Sequence, residues 1–226
     1  QVTLNGKHNF INEEGKIISL TLGFDEVGYF YNGFAQVKVD GKYNHINTKG
    51  KVRFTLWFNY IQEFYDGIAA VKLNQKWNFV DEDGNILCKE WFDNANSIED
   101  GMARVQLNGK YNFVSKTGQI LSSQWFDSAV PGRYGFAPIE LNGKWNFLNM
   151  KGEIVFPNQW FNKTYSFYNG FGKVLLNRKC NFVNISGKIL SPNLWFDDID
   201  DFEEGFANVK LNDQEGKIDT NGKLYL

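Results

Sequence analysis

Short segments in which apolar and polar residues alternate recur along the whole chain. Residues 103–107, Ala-Arg-Val-Gln-Leu, have the period of a half-buried β-strand. The Asn-Gly pair at 108–109 is a strong hairpin signal between two such segments, because both turn residues need positive φ. The pattern then predicts a returning strand over 110–114, a second turn and a third strand over 119–121. No segment has a helical period long enough to compete, so we predict an all-β fold.

The same pattern recurs seven times with a period of 34 or 35 residues. A Gly-x-Ala step and a second glycine keep this spacing, together with the Asn-Gly turn. A unit of this length cannot bury a core alone, so neighbouring copies must share one. We therefore predict a single array over residues 1–226, built from three- to four-stranded meanders. Its approximate copies are residues 1–32, 33–66, 67–100, 101–134, 135–169, 170–204 and 205–226, the last with a C-terminal cap.

One position of the second strand holds asparagine in six copies and Gly216 in the last. Asn and Gly both tolerate the left-handed backbone region, so their exchange favours a β-bulge or twisted residue. An asparagine side-chain ladder between copies is the alternative, although glycine could not join it. The asparagines are Asn9, Asn44, Asn78, Asn112, Asn146 and Asn181.

Composition excludes several classes of function. The net charge is -2 and the pI is near 5.8, so no basic field is available to hold nucleic acid or an anionic membrane surface. No apolar run is long enough to insert into a membrane. Cys88 and Cys180 lie in different copies, which favours free, buried thiols over a disulfide. The aromatic content of 17% comes from fixed positions in each copy, as expected for a continuous core.

Residues 76–80, Lys-Trp-Asn-Phe-Val, resemble the bacterial WG repeat, also called the KWG repeat. Gly-Ile-Ala at 67–69 and Asp-Gly at 83–84 match further markers of that family, and the resemblance covers the full chain. The chain departs from the family by placing Asn where the motif has its second-letter Gly. The resemblance implies a bacterial repeat protein that is secreted or associated with the cell envelope. It implies no activity, since the family has no shared catalytic residue to carry over.

The last copy differs from the others at its packing positions. Glu215 and Lys217 stand where the third, fourth and fifth copies carry two aromatic residues, as a terminal cap of an open array requires. We therefore predict an open, twisted β-solenoid or superhelix, with a six- or seven-bladed β-propeller as the alternative. Pro138 cannot donate to a ladder, so we expect the first strand of its copy to be a sheet edge.

Candidate catalytic and metal-binding residues have simpler structural roles. His8 and His45 occupy aromatic positions of adjacent copies, and without a third ligand they are best explained as core substitutions. The acid after Phe in the Trp-Phe-Asp step becomes Asn59 or Asn162 in two copies, which favours a backbone hydrogen-bond acceptor over a cation ligand. The acidic run within 197–204 is typical of a solvated loop, although beside a cap it could hold Ca²⁺. We expect no enzyme activity and no cofactor.

Two surfaces remain as candidate binding sites. Variable positions on the first strands predict a protein-binding surface formed by Lys38, Lys72, Arg104, Gln106, Glu140, Lys173 and Lys210. A tryptophan column predicts an aromatic platform for sugar rings, or simply core, at Trp57, Trp91, Trp125, Trp160 and Trp195. The sequence thus favours a non-catalytic scaffold that binds a protein partner. A carbohydrate or cell-wall binding module is the alternative.

Overall fold

The computed structural model describes residues 1–19 and 23–226, and those residues contain strands and turns but no helix. The all-β prediction is therefore confirmed. The chain divides into two compact units, residues 1–97 and residues 98–226, which are described separately. Within the described part, no helix is long and apolar enough to cross a membrane. The single array, the open superhelix and its propeller alternative stay predictions.

The first unit contains two complete three-stranded antiparallel sheets and an N-terminal hairpin. Each complete sheet has the order short strand, first hairpin strand, second hairpin strand. The strands of the first unit are β1 (Val2–Leu4), β2 (Lys7–Asn9), β3 (Glu26–Val27), β4 (Phe34–Val39), β5 (Lys42–Asn47), β6 (Tyr60–Ile61), β7 (Ile68–Leu73), β8 (Lys76–Asp81) and β9 (Asn94–Ala95).

The second unit repeats this plan and ends in a sheet with one additional strand. Its strands are β10 (Met102–Leu107), β11 (Lys110–Ser115), β12 (Ser128–Ala129), β13 (Phe136–Leu141), β14 (Lys144–Asn149), β15 (Lys163–Thr164), β16 (Phe171–Leu176), β17 (Lys179–Asn184), β18 (Asp198–Ile199), β19 (Phe206–Leu211), β20 (Gln214–Asp219) and β21 (Leu224–Tyr225).

The first hairpin strand is the central strand of its sheet, so the edge predicted from Pro138 is wrong. β13 pairs with β14 on one side and with β12 on the other. Pro138 is tolerated because β12 has only two residues, which pair with Ile139 and Glu140. Pro138 lies one residue beyond that pairing, where its carbonyl still accepts a hydrogen bond from the Val130 N–H at 2.9 Å. The missing N–H of proline therefore falls where the neighbouring strand has ended.

The third strand predicted over 119–121 is also wrong. Ile120 forms only an isolated bridge with Val114, and the Leu121 N–H donates to the carbonyl of Phe113 at 2.8 Å. The third strand of each complete sheet comes instead from the two residues after the Trp-Phe-Asp step of the preceding copy, as β12 does for β13. Sequence copies and structural sheets are therefore offset along the chain.

The asparagine column explains why the segment after the second strand leaves the sheet. Asn78 is completely buried, and its Oδ1 accepts the N–H groups of Phe79 (2.7 Å) and Cys88 (3.1 Å). Its Nδ2 donates to the carbonyls of Cys88 (3.0 Å) and Glu90 (3.1 Å). One side chain thus satisfies backbone groups that a further strand would otherwise pair. Asn44, Asn112, Asn146 and Asn181 are equally buried and make the same type of contacts.

Neither sequence interpretation of this column is correct. All seven column positions lie in the described part of the chain, and none of them has positive φ. Each asparagine bonds within its own copy, so no ladder forms between copies. Gly216 replaces asparagine for a different reason: a Cβ there would lie 2.6 Å from the carbonyl oxygen of Tyr225. In the last copy the strand β21 pairs with β20, so backbone occupies the place that an asparagine would fill.

The Trp-Phe-Asp step carries the chain from one sheet to the next and builds the core between them. Phe126 exchanges two 2.9 Å backbone hydrogen bonds with Tyr111 of its own sheet, and the Asp127 N–H then donates to Glu140 of the next sheet at 2.8 Å. The Phe126 ring is completely buried in a cluster with Phe113 and Ala137. Equivalent phenylalanines fill the other clusters at Phe24, Phe58, Phe161 and Phe196.

Replacing the clamp asparagine should strongly destabilise the fold. Asn78→Ala leaves buried backbone groups of Cys88 and Glu90 unsatisfied, and we expect a loss of about 3 kcal/mol in unfolding free energy. Urea denaturation followed by tryptophan fluorescence measures it. Lys89→Ala, an exposed change in the same loop, is the matched control and should stay within about 0.5 kcal/mol of the parent. Equal effects of both substitutions would contradict the role assigned to Asn78.

Candidate interaction surfaces

The predicted protein-binding residues lie on central strands, and all seven are half-buried. Three of them, Lys38, Lys72 and Arg104, place their side chains over an aromatic residue of the adjoining second strand. The Lys38 Nζ lies 5.1 Å from the ring centroid of Tyr43, and the Lys72 Nζ lies 5.6 Å from that of Trp77. These positions therefore contribute to packing within their own sheet as well as to the surface. Their role in binding a partner stays a prediction.

The tryptophan column lies at the border between core and solvent. All five indoles are half-buried, whereas the phenylalanine after each is buried completely or almost so. Four of them pack against a core cluster of the first or second unit: Trp57, Trp91, Trp160 and Trp195. The phenylalanine is thus the core residue of the step, and the indole covers the cluster from outside. The sugar platform stays a prediction.

The Asp or Asn that ends the step fastens the turn of the following hairpin. Asp127 Oδ2 accepts the Asn142 N–H at 2.7 Å, and Asn162 Oδ1 accepts the Asn177 N–H at 2.8 Å. The interpretation of this position as a backbone acceptor is confirmed. The same contact joins Asp25 to Asp40 (2.7 Å), Asn59 to Asn74 (2.8 Å) and Asp197 to Asn212 (2.6 Å).

Where the position is aspartate, a lysine forms an ion pair with its other carboxylate oxygen. Lys110 forms an ion pair with Asp127, and Lys7, Lys76 and Lys179 pair with the equivalent acids. The hydrogen bond from Lys110, followed by that from the Asn142 N–H, lowers the pKa of Asp127. We call this arrangement a junction. It consists of the lysine after one hairpin turn, the Asp or Asn of the step, the next residue, and the two residues of the following turn.

In the part of the chain that the structure describes, the histidines and cysteines do not form a disulfide or a three-residue metal-binding cluster. His8 lies beside Thr3, with 3.1 Å between Nδ1 and the hydroxyl oxygen. Cys88 and Cys180 are free, and burial raises the pKa of the Cys88 thiol to about 12. Among the described residues, no three His, Cys, Asp or Glu side chains are grouped so as to hold a metal ion.

His45 occupies a core position that is phenylalanine in the next four copies. Its ring contacts Phe54 and Phe64 edge-on, and its buried Nδ1 has no hydrogen-bond partner within the described residues. Nearby, the Arg53 guanidinium is stacked over Phe34 (4.1 Å) and Phe64 (4.5 Å). Burial, and then the charge of Arg53, lower the pKa of His45 to about 4. The ring is therefore neutral at pH 7, as a substituted core residue should be.

Sequence reasoning missed a set of exposed tyrosines beside a second hairpin turn. In the first unit Tyr31 is 80% exposed and Tyr65 is 53% exposed. Each exchanges two backbone hydrogen bonds across a two-residue turn, Asn-Gly at 32–33 and Asp-Gly at 66–67, whose residues have positive φ. The hairpin rule therefore applied here too, but these glycines were interpreted only as repeat markers. The exposed tyrosines are Tyr29, Tyr31, Tyr60 and Tyr65 in the first unit and Tyr134, Tyr165, Tyr168 and Tyr225 in the second.

The last sheet has a charged outer face. Glu215 and Lys217 are exposed, and together with Asp198, Asp200 and Lys210 they line a shallow groove of about 480 Å³. The acidic run is tied locally: Asp200 accepts a hydrogen bond from Asn208 at 3.1 Å, and Asp201 pairs with Lys173 at 3.0 Å. Asp200 and Asp201 therefore already have partners within the protein.

The model of the WG containing repeat family matches the chain in four segments, residues 10–43, 46–77, 79–111 and 182–214. These segments cover more than half of the chain. No curated protein matches the chain in sequence.

Several solved structures are similar at low identity. Hsv2 from Kluyveromyces marxianus is 8% identical with a TM-score of 0.38, over 70% of this chain and 57% of Hsv2. Apo AztD from Citrobacter koseri is 11% identical with a TM-score of 0.39, over 93% of this chain and 74% of AztD. A protein of unknown function from Bacteroides caccae is 14% identical with a TM-score of 0.28, over 81% of this chain and 88% of that one. This chain thus spans less than two thirds of the first of these proteins, and none of the three TM-scores reaches 0.5.

The buried His45 should make the protein less stable as the pH falls. Its folded-state pKa, about 4, lies below the ordinary value of 6.5, so the unfolded chain binds the proton first. Stability is complete above pH 6.5 and decreases toward pH 4, with a loss of about 2 kcal/mol at pH 5. Urea unfolding at pH 7 and pH 5 measures it. In His45→Phe this part of the loss should disappear, and an unchanged pH dependence would contradict the assignment.

Proposed function

We propose that this chain, which belongs to the family of WG containing repeat proteins, is a non-catalytic repeat scaffold that binds a protein partner. The single observation that carries the proposal is the set of exposed tyrosines held on two-residue turns, above all Tyr31 and Tyr65. A tyrosine on a fixed turn offers a large apolar surface and a hydroxyl at a small entropic cost, and tyrosine is enriched in protein interfaces.

The division of labour among the repeated polar residues supports a scaffold. The asparagine column holds backbone within each copy, and the Asp or Asn of the step holds the next turn. A third set, represented by Asn47, accepts the N–H groups of Lys49 and Lys51, both at 3.0 Å, and shapes the turn between them. These repeated groups hold the backbone in place, while the predicted protein-binding positions on the first hairpin strands vary between copies. Constant structural residues combined with variable surface positions suit partner recognition.

The alternative is a carbohydrate or cell-wall binding module. One specific observation favours it: the indoles of the tryptophan column are half-buried, so each retains some surface that could contact a sugar ring. The competing role of these indoles is to cover the core clusters.

Cross-linking mass spectrometry in an extract of the source cells tests the protein-binding proposal. We expect cross-links from the first unit to one defined protein, and the double variant Tyr31→Ser/Tyr65→Ser should reduce their yield about tenfold, because interface aromatics often dominate binding energy. Thr48→Ala/Thr55→Ala changes exposed, uncharged residues of the same unit and should leave the yield unchanged. Unchanged cross-links in the tyrosine variant, or reproducible turnover of a substrate by the pure protein, would overturn the proposal.

A glycan array tests the alternative. Binding that is lost in Trp91→Ala/Trp125→Ala, with the circular dichroism spectrum and melting temperature retained, would assign the tryptophan column to sugar recognition. Absence of glycan binding by the parent protein would leave these indoles with their packing role alone.

A further inference from the structure

The junctions are numbered in chain order by the residue that ends the step: Asp25, Asn59, Asp93, Asp127, Asn162 and Asp197. Junctions one, two, four, five and six each lie within a single unit, and they differ sharply in charge. Junctions one and six each combine a single lysine with three acids, while junction four holds one Lys–Asp pair. Junction two contains Lys42 as its one charged residue. Junction five alone has three cations and no acid: it consists of Lys144, Asn162, Lys163, Asn177 and Arg178. The same backbone arrangement therefore carries a concentrated positive charge at one place in a chain whose net charge is -2.

Asn162 changes the chemistry of this junction as well as its charge. Its Oδ1 is taken by the Asn177 N–H, as in the other junctions. The second atom of the side chain, which in Asp127 is an oxygen that accepts from Lys110, is here the donor Nδ2. Lys144 occupies the register of Lys110, so two donors take the places of an ion pair. Neither has a partner within the described residues, and both are exposed, so an acceptor from a bound partner can reach them in place of water.

Arg178 occupies a turn position that is usually glycine. Its φ is 66°, in the left-handed region that is unfavourable for a long side chain, whereas the equivalent residue of junction four is Gly143. A non-glycine residue in this conformation is strained, and here it places a guanidinium at the tip of the turn. Arg178 is exposed and forms no ion pair within the described residues.

We propose that junction five binds the carboxylates of an acidic segment on the protein partner. Lys144 and the Asn162 Nδ2 would share one carboxylate, and the planar guanidinium of Arg178 suits a second. Lys163 adds the third cation beside the exposed Tyr165, with its Nζ 4.7 Å from the ring centroid. An exposed aromatic ring beside the Lys163 ammonium fits a peptide in which acidic residues flank an apolar one.

An extended polyanion fits less well. Nucleic acid presents a charge at every nucleotide and needs a continuous basic track, whereas the following junction carries three acids, at Asp197, Asp198 and Asp213. In the preceding junction Asp127 already forms an ion pair with Lys110. The patch is therefore a single site of a size that suits one or two carboxylates.

Fluorescence anisotropy with a labelled hexaglutamate peptide in 50 mM NaCl tests the site directly. We expect Asn162→Asp and Arg178→Gly each to weaken binding by about fivefold, and the double variant by about 25-fold, in line with the strength of exposed charge pairs. Asn59→Asp and Gln75→Gly make the same chemical changes at junction two and serve as matched controls that should bind like the parent. Arg178→Gly also removes the turn strain, so it should fold at least as well as the parent.

Equal binding by the parent, the junction-five variants and the controls would overturn the proposal, as would no binding by the parent. Tighter binding of an oligothymidylate through the same residues would overturn the peptide assignment in favour of nucleic acid. The inference rests on the proposed scaffold function, but the two can fail separately. Partner cross-links that persist in Asn162→Asp/Arg178→Gly would reject this site and leave the scaffold proposal standing.

Discussion

The structure depends on one buried side chain that hydrogen-bonds the backbone on two sides. At Asn78 the amide replaces the pairing that a further strand would supply, so the chain can leave its sheet without abandoning buried N–H and C=O groups. This release frees the next residues to cross over and join the following sheet. The asparagine thus satisfies the backbone hydrogen bonds within its own copy and still lets the chain continue into the next sheet.

Around this clamp, the Trp-Phe-Asp step couples neighbouring sheets by three different interactions. Backbone hydrogen bonds of Phe126 keep it on its own sheet, its ring fills the core between the sheets, and Asp127 fastens the next turn. Hydrophobic burial supplies most of the stabilisation, while the polar contacts set the register between sheets. Asn162 preserves the contact to the turn and gives up the ion pair, so an amide is enough for register and the charge is free to vary.

Features set by neighbouring residues could be predicted from the sequence, and features set by residues far apart in the chain could not. The all-β class and the Asn-Gly turns follow from alternation and from residues that tolerate positive φ. The role of Asn78 could not be predicted, because its partners lie ten and twelve residues away and a side-chain bond leaves no period in the sequence. Pro138 misled because strand order in a sheet is a tertiary property. The exposed tyrosines were missed for a simpler reason: the turn at 66–67 has an ordinary hairpin signature, but repetition drew attention to its spacing instead.

The offset between sequence copy and sheet bears on how such a chain can grow. Each complete sheet takes its short strand from the copy before it, as β13 does from β12. A tandem duplication of one whole copy, wherever its endpoints fall, therefore supplies both a new short strand and a new hairpin for a short strand to pair with, in the right order. Gene duplication by recombination between copies can thus lengthen or shorten the protein without a new interface. Excising a sheet by its visible borders would instead separate a short strand from the sheet that it completes.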